Sequence, residues 1–239
     1  MERGLPRGTT MSDDATLEAF RLADSFLPVG TNSLSYGLEQ FVQDDRVEDI
    51  EDLRVLLETY LRNQIGTADL VALRAAHAAA RKGNVEDICK ADHRLEAVTL
   101  AAEFRASAEQ SGARLLQLQR DLRSDPLLDS YADQVHDGAA AGSYAVVLGA
   151  VAGTAGIPER EACLLCCHGF VTGLLGAAQR LLSVGHTDTQ RTLDDLQPVI
   201  SDAVSTSDTL PLDGMTSFAP LIDLLSAEHE RADRRLFLS

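Results

Sequence analysis

The sequence predicts an all-α protein, a single-domain helical bundle with a central buried helical hairpin and a flexible C-terminal tail. Three observations carry that expectation. The composition is rich in Ala and Leu, holds no Trp, four Tyr and seven Phe, and has few runs of β-branched residues, which favours helices over strands. Apolar residues recur at three- and four-residue spacing along much of the chain. Residues 138–158 and 162–179 carry no charged side chain and are joined by a short charged link, the pattern of two buried helices folded back to back. One core suffices for 239 residues. We read 1–15 as a disordered extension, 16–205 as the helical domain and 206–239 as a linker and tail.

Each element follows from local signals. Residues 16–24 form a short amphipathic helix, and SFLPVGTNS breaks regularity after it through Pro28, Gly30 and Asn32. Ser33 is placed to cap a helix running to Val42. In DRVEDIEDLRVLLETYLRNQ the residues Ile50, Leu53, Leu57, Tyr60 and Leu61 share one helical face, and a further helix over 69–82 stops at Gly83. Asn84 or Asp92 starts the next. A long helix spans 94–122, and SDPLLD ends it at Pro126. The central hairpin covers 131–184 and turns at Gly156 and Pro158. GHTDTQ reads as a loop with Asp188 as N-cap of a helix to about Ser205, TSDTLPLDGMTSFAP as a linker, and the last stretch as helical again.

The formal charge of −16 arises from 37 acidic and 21 basic residues, of which only Lys82 and Lys90 are lysine. Such a chain lacks the basic footprint that nucleic acid requires. An excess of Asp and Glu with Arg in place of Lys suits a surface kept soluble in concentrated salt, where screening removes self-repulsion, so a salt-adapted source is expected. The N-terminal MERGLPRGTTMSDD has no apolar signal core, Met11 is an alternative start, and the four cysteines make no secreted disulfide framework; a cytoplasmic protein is expected. The two uncharged stretches are long enough to consider as membrane spans, but they are weakly hydrophobic per residue, and a buried hairpin explains them better.

The stretch ACLLCCHGF invites a metal-site reading through Cys163, Cys166, Cys167 and His168. On a helix, however, Cys163, Cys167, Phe170, Leu174, Ala177 and Leu181 fall at alternating four- and three-residue spacing, an unbroken apolar seam. His168 points about 140° away from Cys163 at about 100° per residue. A free cysteine in such a seam behaves as a small hydrophobe, so packing is expected and a small helical metal-binding protein is the alternative. No GxxxxGK[ST], HExxH or GxSxG pattern occurs, and no enzyme activity is expected. Along the long helix Glu103, Ser107, Gln110 and Arg114 form a polar stripe, read as a solvated face and secondarily as a partner surface.

Four blocks in order, LADSFLPVGTNSLSYGLEQFV, DHRLEAVTLAAEFRASAEQSGARLLQL, SYAVVLGAVAGTAGIPEREA continuing to GAAQRLLSVGHTDTQ, and the terminal AEHERADRRLFLS, resemble the UreF family of urease accessory proteins. The resemblance spans nearly the whole chain from about residue 17. It implies a non-catalytic nickel-insertion chaperone that forms homodimers, binds a UreD/UreH-type accessory protein and with it recruits the UreG GTPase to mature the nickel site of apo-urease. No cofactor would be held stably by the chain itself, and nickel would be handled by the assembled complex. Pro28, Gly30, Ser35, Gly37, Leu38 and Glu39 match the N-terminal motif, with Glu39 assigned to a partner surface; Glu103, Arg105, Ser107 and Gly112 match the long-helix motif. Arg180 falls where the family places a basic residue engaging the GTPase, and Arg235, Leu236, Phe237 and Ser239 match the tail that docks on the second accessory protein. Where the family pattern has a proline and two glycine–glutamine pairs, this chain has Ser183, Gly185-His186 and Thr189-Gln190, so only Gly185 and Gln190 carry over; His186 reads as an exposed loop histidine.

Overall fold

A computed structural model describes residues 11–30 and 35–229, and within them every regular element is helical. Helix α1 (Asp13–Ala23) starts one turn earlier than its apolar face suggests, because the Ser12 hydroxyl accepts a bond from the Ala15 N–H. Ser33 lies outside the described residues. The helix expected from it is the short α2 (Leu38–Gln43), which starts at Gly37 in the left-handed region, φ 76°. α3 (Ile50–Tyr60) is capped by the Asp49 carboxylate, which accepts from the N–H groups of Glu51 and Asp52. The sequence suggests a break before residue 69. Instead a π-helical segment, Leu61–Asp69, runs straight on into α4 (Leu70–Arg81). Gly66 in that widened stretch lets Ala203 pack against it, so the anomaly seats a neighbouring helix.

Before the central hairpin one open choice is resolved and one expectation is corrected. Asn84, not Asp92, caps α5 (Val85–Val98), accepting from the Asp87 N–H. Asp92 is fully buried in mid-helix. The helix expected over 94–122 is broken at Thr99 to Ala101, where the backbone is extended, and resumes as α6 (Ala102–Leu122). The Arg105 guanidinium closes the break by donating to the carbonyls of Thr99 and Leu100 at 2.7 and 2.8 Å. α7 (Pro126–His136) is capped by Asp125 with Pro126 in its first turn, and it takes Tyr131 away from the hairpin assigned to it.

The hairpin proper is α8 (Tyr144–Ala155) and α9 (Glu159–Leu181), turning at Gly156 and Ile157. Nearly all of α8 is buried, packed chiefly on α4 and α6. A Cβ at Gly149 would fall inside the contact distance of the Leu73 carbonyl, so only glycine permits this crossing. α9 is the one described helix long and apolar enough to cross a membrane, but 61% of its apolar window is buried in the bundle, as in a core helix.

GHTDTQ is not a loop. α10 (His186–Asp195) begins at Gly185, with Asp188 in its first turn rather than at its cap. The helix expected to run on to Ser205 is interrupted at Leu196 and continues as α11 (Gln197–Asp208), Pro198 standing in its first turn where no N–H is needed. The connector that follows has the irregular backbone its composition predicts, yet the Thr216 and Phe218 N–H groups donate to Thr67 and Asn63 carbonyls at 3.1 Å, and Met215 is buried. α12 (Pro220–His229) completes the described chain.

Candidate functional site

The N-terminal motif folds into a tight loop against two distant helices. Ser35 and Leu38 are buried, Glu39 is 2% exposed and accepts from the Gln43 amide at 3.3 Å, and Pro28 is exposed beside Arg114 of α6. Gly30 and Gly37 both have positive φ, as does Tyr36 at 49°. The Tyr60 hydroxyl donates to the Tyr36 carbonyl, holding that strained residue in place. Around it Tyr36 stands edge-on to Phe104 and to Phe170, with ring centroids 5.9 and 4.9 Å away. The N-terminal motif, the long-helix motif and the cysteine helix thus meet at one aromatic cluster.

The polar stripe on α6 is not a solvated face throughout. Glu103 and Ser107 are 7% and 6% exposed, whereas Gln110 and Arg114 do reach solvent. The stripe turns inward where α6 packs across α8, and Gly112 on that inner face lets the backbone at Gly142 come into direct contact.

Asp92 carries a buried polar junction. Its carboxylate accepts from the Tyr131 hydroxyl at 2.7 Å and from the Gly142 and Ser143 N–H groups at 2.6 and 3.1 Å, joining α5, α7 and the start of α8. Sequence reasoning missed this role. Its one signal was an aspartate in the middle of an amphipathic helix, at a position otherwise apolar.

The cysteine seam packs as its spacing predicts. Cys163 and Cys167 are fully buried, Cys166 is 7% exposed, and His168 points to solvent. Burial pushes the Cys163 and Cys167 thiols up to about 12, so they stay protonated and make poor metal ligands. Among the described residues no group of three His, Cys, Asp or Glu side chains is arranged to hold a metal ion.

Beside the aromatic cluster lies a cavity of about 80 Å³, reached from the π segment and from α5, α6, α8 and α9. Asp69 is half-buried and lines it; burial pushes its carboxyl up to about 7, against a smaller opposing pull from a backbone hydrogen bond. The cavity was invisible in the sequence, since its lining comes from six separated segments, the loop at Tyr36 being the sixth.

At the far end of α9, Arg180 is exposed in the last turn and its Nε donates to the Gly176 carbonyl at 3.2 Å. Gln190 is exposed on α10, flanking a shallow surface groove whose other walls include Gln179 and His186. His186 belongs to the start of α10, not to a loop, with its Nδ1 2.9 Å from the Gln179 amide nitrogen. Arg180, Gly185 and Gln190 therefore share one end of the molecule. Arg235, Leu236, Phe237 and Ser239 lie outside the described residues.

These features define an all-α, single-domain scaffold whose most patterned residues hold helices together and present surfaces. The UreF family model matches residues 47–197. Urease accessory protein UreF of Trichodesmium erythraeum is 34% identical over 221 residues, covering 92% of this chain and 95% of the relative. The UreF proteins of Bacillus sp. strain TB-90 and Yersinia enterocolitica are 30% and 31% identical over 93% and 95% of the chain, and 98% and 99% of their own lengths. The chain belongs to the UreF family of urease accessory proteins, a non-catalytic helper in urease maturation.

Proposed function

We propose that this chain bridges a UreD/UreH-type accessory protein and the UreG GTPase while nickel is delivered to apo-urease, acting in the cytoplasm as a homodimer. The observation that supports it most is the likeness to urease accessory proteins along nearly the full length of both sequences in each comparison. Nickel is cargo of the assembly in this reading. The acidic surface suits work in concentrated salt.

Separate parts of the chain take separate partners. Arg180, exposed beside Gln190, is suited to grip acidic groups of the GTPase, because a guanidinium pairs with carboxylates in a fixed two-pronged geometry. Glu39, buried in the free chain, would act through the loop it fastens. The terminal Arg235, Leu236, Phe237 and Ser239 would dock on the UreD-type protein. Co-purification with tagged partners tests the scheme. Arg180→Ala should lose the GTPase and keep the UreD-type protein, and deletion of 235–239 should lose both while leaving the melting temperature nearly unchanged. Full retention of both partners by both variants would refute it.

A further inference from the structure

The cavity beside the aromatic cluster plays no part in that bridging scheme. Its volume of about 80 Å³ is room for on the order of six waters, at 10–15 Å³ each, and far too small for a drug-sized ligand. Two acceptors on its wall lack a side-chain partner. Gln64 is 8% exposed and lines the cavity, and its Oε1 is buried with no hydrogen-bond partner. Asp69, on the same π segment, receives no bond from any other described side chain. Arg105, the cation on the wall, is tied through its Nη1 to the Thr99 and Leu100 carbonyls and makes no hydrogen bond to Asp69. An anion would meet Asp69, Glu96 and Glu109 here, and water alone would leave the Asp69 charge uncompensated.

We propose that this cavity binds a small monovalent cation bearing N–H donors, ammonium being its simplest member, held between the Asp69 carboxylate and Gln64 Oε1 beside the rings of Tyr36, Phe104 and Phe170. Such a cation supplies the donors both acceptors lack, balances one buried charge and is attracted by aromatic rings. A transition metal is a worse fit, since the one thiol on the wall, Cys166, is held protonated by burial and no three-ligand set exists among the described residues. The other titratable groups facing the cavity are Tyr36, Tyr144 and Cys166, all pushed up by burial, and Glu96, Arg105 and Glu109, the last also pushed up by burial first and by Glu96 second. Burial pushes the Asp69 carboxyl up to about 7, so the site opens for a cation as pH rises through that value. Cation binding at lower pH must expel a proton.

The isolated full-length chain is titrated with ammonium chloride at pH 7.5 and 5.5, against sodium chloride at equal ionic strength, and followed by calorimetry and melting. Ammonium should bind saturably, raise the melting temperature beyond the sodium control, and bind at least tenfold more weakly at pH 5.5. The near-isosteric Asp69→Asn and, separately, Gln64→Leu should each weaken binding at least tenfold. Should either variant fail to fold, ¹⁵N-ammonium exchange spectra of the unaltered chain, with methylammonium as competitor, decide the question at both pH values. Equal responses to sodium and ammonium, pH-independent binding, or undiminished binding by a folded Asp69→Asn chain would overturn the proposal. No partner protein enters these measurements, so their failure leaves the bridging scheme standing.

Discussion

Two aspartates inside this bundle were brought there by different kinds of structure. Asp92 sits in regular α5, fully buried, and three donors from two other segments converge on its carboxylate. Asp69 closes an irregular π segment, faces a cavity and gains no donor from another described side chain, so burial pushes its carboxyl up to about 7. The donors that reach an acidic group matter as much as its depth, since Asp92 is fully buried and Asp69 half-buried. A buried carboxylate with its acceptors filled is a staple, and one left short of donors is poised to take a proton or a cation.

The largest effect should come from breaking the staple. Asp92→Ala leaves the Tyr131 hydroxyl and the Gly142 and Ser143 N–H groups without their partner, and should cost roughly 3–5 kcal/mol in urea unfolding. A loss under about 1 kcal/mol would erase the contrast with Asp69. The cysteine seam is the apolar control for these sites. Replacing Cys163 and Cys167 together by Ala removes two fully buried sulfur atoms and should cost about 2 kcal/mol through lost packing, with partner assembly kept at permissive temperature. Stoichiometric nickel binding that vanished in the double variant would instead restore the metal-site reading.

Asp69→Asn sharpens the comparison in the opposite direction. The unfolded carboxyl titrates near 3.8 and the folded one at about 7, so between these values the folded chain holds the extra proton. Stability conferred by this group is therefore full below pH 3.8, falls as pH rises to about 7 and stays low above it. Asn removes that slope, and at pH 8 in ammonium-free buffer the variant should melt higher than the parent by about 1–2 kcal/mol of stability. A parallel pH profile for both chains would show that Asp69 does not titrate as described. The smallest effect is general: with a formal charge of −16, added sodium chloride should raise the melting temperature modestly by screening. A fall on going from low to moderate salt would mean that attractive pairs, such as Arg74 with Glu159 and Asp208, outweigh the surplus charge.

What the sequence determined by itself is what a helix can announce locally. Its all-α class, the α8–α9 hairpin with its turn at Gly156, and the packing of Cys163 and Cys167 were all legible, because three- and four-residue periodicity and end signals act within a turn or two of each residue. The family motifs were legible too, as strings. Only the tertiary structure decided that Glu103 and Ser107 turn inward, that residues 50–81 run on through a π segment, and that Asp92 is filled while Asp69 and Gln64 are not. The Asp92 bonds reach 39, 50 and 51 residues along the chain, and the cavity is walled by six segments that touch only after folding. Local pattern records which face of a helix avoids water. Which distant donor meets a buried acceptor is set by how the helices cross, and that depends on close contacts such as Gly149 against Leu73, for which no neighbour in sequence supplies a sign.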